Sequence, residues 1–212
     1  MTERPRRTQA ERTAATRALI VEAAFDCLLE TGYGATTVGA VQQRAGVARG
    51  TLLHHFPTRA SLMAGVVEDI AARRLAVLAP DAPPPGQGWD AVVDLVWRDL
   101  QSPAFLAALE LWVAARTDDA LRAALMPLQE RLFATVHRAV TALVGDDPRA
   151  PTLVQFTIDL LTGTTMAGLL GPGRERTAVV VERWKDALSL LASATIHAED
   201  PAPVLPVRQI FW

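Results

Sequence analysis

The chain has 212 residues, of which 50% are hydrophobic and 21% are charged, a balance that supports a sizeable buried core and excludes wholesale disorder. One cysteine, Cys27, excludes an internal disulfide, and no apolar run approaches the roughly 18 residues of a membrane span, so a cytoplasmic protein of one or two domains is expected. Residues 1–60 carry a net charge of +3 (8 − 5) and residues 61–212 carry −5 (13 − 18), an asymmetry that favours an anionic partner at the amino end.

Apolar residues recur at helical spacing along most of the chain, which predicts an all-α protein of about nine helices. Gly32 follows the first helix and can end it, because glycine readily takes the left-handed conformation of a helix cap. The apolar pattern predicts that this helix buries Ile20, Ala23, Ala24, Cys27 and Leu28. Pro57 should end the third helix, because proline lacks the amide hydrogen that a helix needs. The first four helices are expected at about 13–31, 38–45, 49–55 and 61–78.

A proline-rich segment at 79–88 is expected to be a surface loop or hinge between the amino-terminal helices and a larger body. Pro127 should kink a long helix of the body. The remaining helices are expected at about 89–100, from 103, at 118–144, up to 170 and at 174–196. The segment after Asp200 contains three prolines and ends in Ile210-Phe211-Trp212, whose role the pattern does not indicate.

Residues 37–56 have the features of a helix-turn-helix. Thr37 can cap the first of two short helices, and Gly46 supplies the sharp turn between them. Leu52 and Phe56 should point back into the same small core as Val41. The second helix can then enter the major groove of DNA, which is wide enough for an α-helix.

The remaining residues of that second helix are suited to DNA contact. Arg49 can bind guanine through two hydrogen bonds, and Thr51 or Leu53 can contact a base edge or a thymine methyl group. Phosphate contacts are expected from His55, Arg59 and the amino end of the helix that Thr37 begins. The pair His54-His55 is a poor metal site because neighbouring helical side chains point about 100° apart, so no metal or cofactor is expected.

Three segments in this order carry a family resemblance: Gly32-Tyr-Gly-Ala-Thr-Thr-Val38, Arg44-Ala-Gly-Val-Ala-Arg-Gly-Thr-Leu52 and His55-Phe-Pro-Thr-Arg59. Together they resemble the DNA-binding domain of the TetR (tetracycline-repressor-like) family of bacterial regulators, over about residues 13–65. The resemblance implies a DNA-binding head at residues 1–60, with a basic amino-terminal arm, and a ligand-binding and dimerisation body at residues 61–212. It also implies a homodimer, usually a repressor that a small molecule releases from DNA.

The same resemblance assigns individual contacts. It puts Arg49, Thr51 and His54 where family members approach bases, and it puts Thr37, Leu53, His55 and Arg59 at DNA-backbone positions. This sequence departs from the family at three positions: Gln42 stands where a small alanine is usual, Ala48 replaces a serine or threonine cap, and Leu53 replaces a tyrosine. These departures favour an unusual operator sequence or a lower affinity.

The body contains candidate effector-binding residues. Aromatic and methionine side chains can line an apolar cavity, or they can simply fill the core. Glu110 lies on an otherwise apolar helix, and if it is buried its carboxylate needs a partner, such as Arg116 or a cationic ligand. The alternative is a structural ion pair or a partly exposed edge. Gln155, with Asp159 and Thr162, forms a polar line on another helix. The candidates are Trp97, Phe105, Glu110, Trp112, Met126, Phe133, Gln155 and Met166.

The last two long helices have the pattern of an oligomer interface. Small residues at Gly163, Ala167 and Gly168 allow another helix to approach closely, and an apolar stripe follows on the next helix at Val180, Trp184, Leu188 and Leu191. Two such helices from each of two subunits can form a two-fold four-helix interface. The alternative is that both stripes are buried within one subunit.

The favoured function is a ligand-responsive regulator whose homodimer binds a near-palindromic operator in double-stranded DNA. Two alternatives remain open: a helical protein-interaction module that has lost DNA contact, and an all-helical enzyme. The sequence has no glycine-rich phosphate loop, Cys/His cluster or Gly-x-Ser-x-Gly motif, so a regulator without enzymatic activity is expected.

Overall fold

The computed structural model describes residues 8–78, 88–145, 147–169 and 174–193, and within these ranges it contains nine α-helices and no strand. This confirms the all-α prediction. No described helix combines the length and the hydropathy that crossing a bilayer requires. Of the expected loop over 79–88, Gly88 instead begins α5, and the rest lies outside the described residues, as does the carboxy-terminal segment. The helices are α1 (Gln9–Ala35), α2 (Val38–Ala45), α3 (Arg49–His55), α4 (Arg59–Leu78), α5 (Gly88–Leu100), α6 (Pro103–Ala115), α7 (Asp119–Val144), α8 (Ala150–Leu169) and α9 (Arg174–Ser193).

Two helices begin earlier than their apolar patterns predict, because local caps extend them. Thr8 and Glu11 form a reciprocal capping box, in which each backbone amide donates to the other side chain, and α1 therefore begins at Gln9. Thr58 and Ser61 exchange similar bonds, and α4 begins at Arg59. The bounds of α2 and α3 agree with the expected ones.

Gly32 interrupts α1 but does not end it. Its φ of 77° lies in the left-handed region, and the chain then makes one more turn to Ala35. The regular helix is therefore broken at Gly32, where a left-handed glycine was expected, and the residue produces a kink before the last turn of α1. Pro127 lies inside α7, which continues as one helix on both sides of it.

The chain forms two compact units. The first unit contains the residues up to Ala72 together with Leu106–Leu128. In it α1 packs on α2 and α2 on α3. The buried side chains include the five predicted for α1 and those that close the helix-turn-helix: Ile20, Ala23, Ala24, Cys27, Leu28, Val41, Leu52 and Phe56.

The second unit contains Arg73–Phe105 and the chain from Gln129 onward. Here α5 packs against both α8 and α9, and α8 packs against α9. Apolar side chains fill the space between these helices, among them Val92, Val96, Leu100, Leu161 and Leu188. Helices α4, α6 and α7 each contribute residues to both units.

A buried ion pair ties α4 to α5 within the second unit. The Arg74 guanidinium donates to both carboxylate oxygens of Asp99, at 3.1 Å from Nε and 2.5 Å from Nη2, and both side chains are less than a tenth exposed. The same guanidinium lies 5.4 Å from the centre of the fully buried Phe105 ring. Neither charge has much access to water, so each depends on the other.

Replacing Asp99 with alanine should lower the free energy of unfolding by about 3–5 kcal/mol, because the buried Arg74 guanidinium loses its hydrogen bonds to the Asp99 carboxylate. Urea denaturation followed by circular dichroism measures this loss. Asp119→Ala, which removes an exposed carboxylate, is the control and should cost less than about 1 kcal/mol. Equal losses in the two variants would contradict the argument.

Candidate nucleic-acid interface

Local contacts fix both the start of α2 and the turn between α2 and α3. The Thr37 hydroxyl oxygen accepts a 3.1 Å hydrogen bond from the Ala40 amide, as a helix cap should. Gly46 ends the helix with a φ of 64°, a left-handed conformation that strongly favours glycine. The Gln42 side chain donates to the Val47 carbonyl at 3.2 Å, so this departure from the family pattern braces the turn.

Two apolar side chains hold α3 in place. Leu52 is fully buried, Phe56 is 2% exposed, and the Arg17 guanidinium lies 5.1 Å from the centre of the Phe56 ring. A side chain at Gly65 of α4 would collide with that ring, because a Cβ atom there would lie 2.9 Å from Phe56 Cε1. Glycine at this position therefore makes room for the residue that closes the helix-turn-helix.

The opposite side of α3 faces away from this core. Arg49, Thr51 and His54 are exposed, whereas Leu53 and His55 are half-buried. The His54 and His55 rings meet edge to face, with 5.5 Å between their centres. Within the described residues no group of three or more His, Cys, Asp or Glu side chains could hold a metal ion. The outward face is thus polar, cationic and free of metal-site geometry.

Four of the five arginines in the described part of the head bind other groups of the protein. Arg44 donates two hydrogen bonds to Glu30, at 2.5 and 2.7 Å, and one to Asp26. Arg12 donates to Gln9, and Arg17 pairs with Glu68 at 3.4 Å. Among the described part of the head, Arg49 is the one arginine whose guanidinium has no hydrogen bond or ion pair within the chain. Its charge and its donors are therefore available to a partner.

Arg59 has a position that its sequence pattern does not indicate. Its guanidinium donates to the carbonyl oxygens of Tyr33 at 2.7 Å and Thr36 at 3.3 Å, and it lies 4.1 Å from the centre of the Tyr33 ring. The Tyr33 hydroxyl in turn donates to Asp118 Oδ2 at 2.7 Å. We call these three residues, Tyr33, Arg59 and Asp118, the Tyr33 corner. It joins the end of α1 to the starts of α4 and α7.

Hydrogen bonding and burial shift the pKa values of this corner in opposite directions. The bond from Tyr33, with a second one from the Leu121 amide, holds the pKa of the Asp118 carboxyl below its ordinary value. Burial, followed by the bond to Asp118, raises the pKa of the Tyr33 hydroxyl. The bond is therefore made between a neutral phenol and a carboxylate over a wide range of pH.

Glu110 is not buried, so the interpretation as a buried carboxylate is wrong and the alternative of an exposed edge holds. Its side chain is exposed, and Oε2 lies 3.2 Å from the point where a Cβ atom of Gly32 would stand. The apolar pattern of α6 did not reveal this, because that face of the helix lies beside the kink of α1, where no side chain covers it.

The other candidate effector residues are divided between the two units. Glu110, Trp112 and Met126 belong to the first, and Trp97, Phe105, Phe133, Gln155 and Met166 belong to the second. Phe105 is fully buried, Met166 is exposed, and Gln155 donates to Asp159 at 2.8 Å. Thr165, which the sequence pattern did not single out, is buried on α8, and its hydroxyl has no hydrogen-bond partner among the described residues.

The expected α9 interface stripe is partly buried within the subunit. Leu188 is fully buried, and Trp184 donates from its indole nitrogen to Thr157 of α8 at 3.0 Å. Leu191 is exposed, as are Gly163 and Ala167 on α8. Exposed apolar side chains that the sequence analysis did not name accompany them: Phe156, Leu160, Leu169, Val179 and Leu190.

Comparison with known proteins agrees with this architecture. A family model for bacterial regulatory proteins of the tetR family matches residues 20–66, and a model for the tetracyclin repressor-like C-terminal domain matches residues 83–190. The chain belongs to the TetR family. Membership makes it a ligand-responsive, DNA-binding transcription regulator.

Individual TetR-family relatives are moderately similar. An uncharacterized HTH-type transcriptional regulator of Mycobacterium tuberculosis is 32% identical over 143 residues, which cover 66% of this chain and 73% of the relative. The HTH-type transcriptional regulator CymR of Pseudomonas putida is 37% identical over 133 residues, 59% of this chain and 64% of that protein. A transcriptional regulator from Rhodococcus sp. Rha1 has the same fold, with a TM-score of 0.66, 19% identity and coverage of 84% and 98% of the two chains.

The Tyr33 corner of this TetR-family protein predicts a pH-dependent effect of Tyr33→Phe. A carboxyl group whose pKa is lowered on folding adds stability above its unfolded value, near 3.8, and loses it as the pH falls through the lower folded value. A phenol whose pKa is raised adds stability below about 10 and loses it as the pH rises through the higher folded value. Tyr33→Phe should therefore lower Tm at pH 7, and the difference from wild type should shrink at pH 3.

Differential scanning calorimetry across this pH range measures the difference. Thr31→Val removes a hydroxyl that bonds only its own helix, to the Cys27 carbonyl, and serves as the control with a pH-independent difference. A Tyr33→Phe difference that stays constant from pH 3 to pH 7 would show that the bond to Asp118 contributes nothing.

Proposed function

We propose that this protein is a homodimeric repressor that binds a near-palindromic operator and leaves it when a small apolar or amphipathic molecule binds the body. The observation that carries the proposal is Arg49, an exposed and unpaired guanidinium at the first residue of α3, a helix that Leu52 and Phe56 anchor to the core. A guanidinium presented in this way has the two parallel donors that guanine O6 and N7 accept in the major groove.

The other contacts of the head divide into two groups. Thr51 and His54, which are exposed on the same helix as Arg49, are proposed to contact bases. Leu53 and His55, half-buried on α3, and Thr37, at the start of α2, are proposed to contact the DNA backbone. Arg59 is proposed to act mainly by positioning its neighbours. Its hydrogen bonds to two carbonyls of the α1–α2 connection keep Thr37 and the start of α2 in place.

The exposed apolar row on α8 supports dimerisation. Phe156, Leu160, Gly163 and Ala167 are spaced by four, three and four residues, so they lie on one side of the helix. The other side of α8, at Thr157 and Leu161, is buried within the subunit. We propose that this row meets its two-fold copy. A two-fold axis requires two half-sites, separated by about one helical turn of DNA, ~34 Å, or modestly more.

The body is proposed to bind the effector among its aromatic residues. Trp97 and Phe133, both in the second unit, are only half-buried, so each still offers ring surface to a ligand. The unpaired hydroxyl of Thr165 supports a ligand that carries at least one polar group, since a buried hydroxyl without a partner is costly.

Helix α4 is proposed to transmit the effector signal. It starts in the first unit at the Tyr33 corner and ends in the second unit, beyond the buried Arg74–Asp99 pair. An effector that binds the DNA-incompetent conformation 100-fold better supplies about 2.7 kcal/mol of coupling, within the usual allosteric range. The cytoplasm is the proposed location because the proposed partner is DNA.

Arg49→Ala removes one bidentate base contact of about 1–3 kcal/mol from each of the two half-sites, so operator binding should weaken by roughly 30-fold or more. Binding to random duplex should weaken much less. Selection of duplexes with the wild-type protein supplies the operator, and fluorescence anisotropy measures both affinities. Arg131→Ala, an exposed arginine of α7, is the control and should bind normally. Equal losses on operator and random duplex would show that Arg49 contacts only phosphate.

Phe156→Glu should convert the dimer to a monomer of 22.8 kDa, because a charge on the α8 row cannot be buried against its own copy. Light scattering coupled to size exclusion measures the mass. Val113→Glu, which changes a similarly exposed apolar residue of α6, should leave the dimer intact. A Phe156→Glu dimer would place the interface elsewhere.

A further inference from the structure

No contact or backbone angle within the described part of the subunit explains why residue 50, Gly50, is a glycine. It is exposed, its φ is not positive, and apart from its chain neighbours and the backbone of its own helix a Cβ atom there would meet no atom of the described residues within 4 Å. This differs from Gly46, which needs its left-handed φ, and from Gly65, where a side chain would collide with Phe56. Glycine is unfavourable in a helix because it loses more conformational freedom than any other residue. Alanine would therefore suit the isolated protein at least as well.

Gly50 destabilises α3, a helix that its own sequence already stabilises poorly. α3 has seven residues, and its amino-terminal residue Ala48 provides no side-chain cap. A glycine in the first turn weakens such a helix further. The fold does not need this glycine, and α3 is only weakly stable. The reason for a glycine at this position therefore lies in a contact outside the subunit.

The position of Gly50 around the helix shows what that requirement is. At 100° per residue, Gly50 and His54 lie about 160° and 200° from the fully buried Leu52, on the line of α3 directly opposite the core. A helix that docks with its outer side in a groove brings this line closest to the base pairs. At Gly50 the protein offers only a backbone methylene, flanked by the longer Arg49 and Thr51.

We propose that Gly50 determines sequence specificity: the missing side chain leaves a notch on the outermost line of α3 that holds the 5-methyl group of a thymine. This inference rests on the proposed function, in which α3 enters the major groove. The thymine methyl is the apolar group that base pairs present in that groove, and it matches an apolar notch between two polar side chains.

The test adds a methyl group to the protein at residue 50 and removes a methyl group from the DNA. Wild type and Gly50→Ala are measured against the selected operator, and against operators in which each thymine in turn is replaced by deoxyuridine, which pairs identically but lacks the methyl. At one position in each half-site, deoxyuridine should weaken wild type about fourfold, the effect of one buried methyl group at about 0.8 kcal/mol. Gly50→Ala should lose at least tenfold on the thymine operator and regain affinity on that same deoxyuridine operator.

Two controls separate this effect from misfolding and from glycine replacement in general. The Tm of Gly50→Ala should equal or exceed that of wild type, because nothing in the subunit opposes the added methyl. Gly34→Ala changes another exposed glycine of the head, also with open space around its Cβ position but at the end of α1, and should bind the operator normally.

The outcomes are distinct. Wild-type affinity in Gly50→Ala, or a loss that no deoxyuridine position restores, overturns the inference while leaving the proposed function intact. Failure of the wild-type protein to enrich any duplex overturns the proposed function and the inference with it.

Discussion

Burial of Leu52 and Phe56 is the interaction on which the DNA-binding surface depends. A seven-residue helix without a side-chain cap, and with a glycine in its first turn, is too short to be stable by itself. It exists because one side of it packs into a core shared with Val41 of α2 and with α4. Gly65 provides the space for Phe56, and Arg17 covers the ring. Every outward contact proposed here therefore depends on an apolar contact on the other side of the same helix.

Four of the five described arginines of the head bind neighbouring groups of the protein itself. The amino-terminal excess of arginine suggests a broad basic surface, but Arg44, Arg17 and Arg12 are occupied by neighbouring side chains, and Arg59 binds backbone carbonyls. These arginines fix the shape of the head and leave Arg49 as its available guanidinium within the described residues. Such a surface favours a few directed contacts with bases over diffuse attraction to phosphate.

The helix-turn-helix could be predicted because its signals are local, whereas contacts between residues distant in sequence could not be predicted. The Thr37 cap, the Gly46 turn and the break at Pro57 each act within a few residues, so the bounds of α2 and α3 followed from the sequence. Glu110 was expected to be buried because its own helix is apolar, but exposure depends on what covers that face. Leu188 belongs to a stripe that suits a partner helix equally in the same subunit or in another, and periodicity does not distinguish the two. The Tyr33 corner joins residues up to 85 positions apart, and no spacing rule indicates it.

The central claim, that the outward side of α3 occupies the major groove, can be tested directly by methylation interference on the selected operator. Dimethyl sulfate methylates guanine at N7, in the major groove, and adenine at N3, in the minor groove. The account predicts that the bound fraction is depleted of N7-methylated guanines in two clusters about one helical turn apart, while adenine N3 methylation at the same places is tolerated. Interference confined to adenine N3, or none at any guanine, would contradict it.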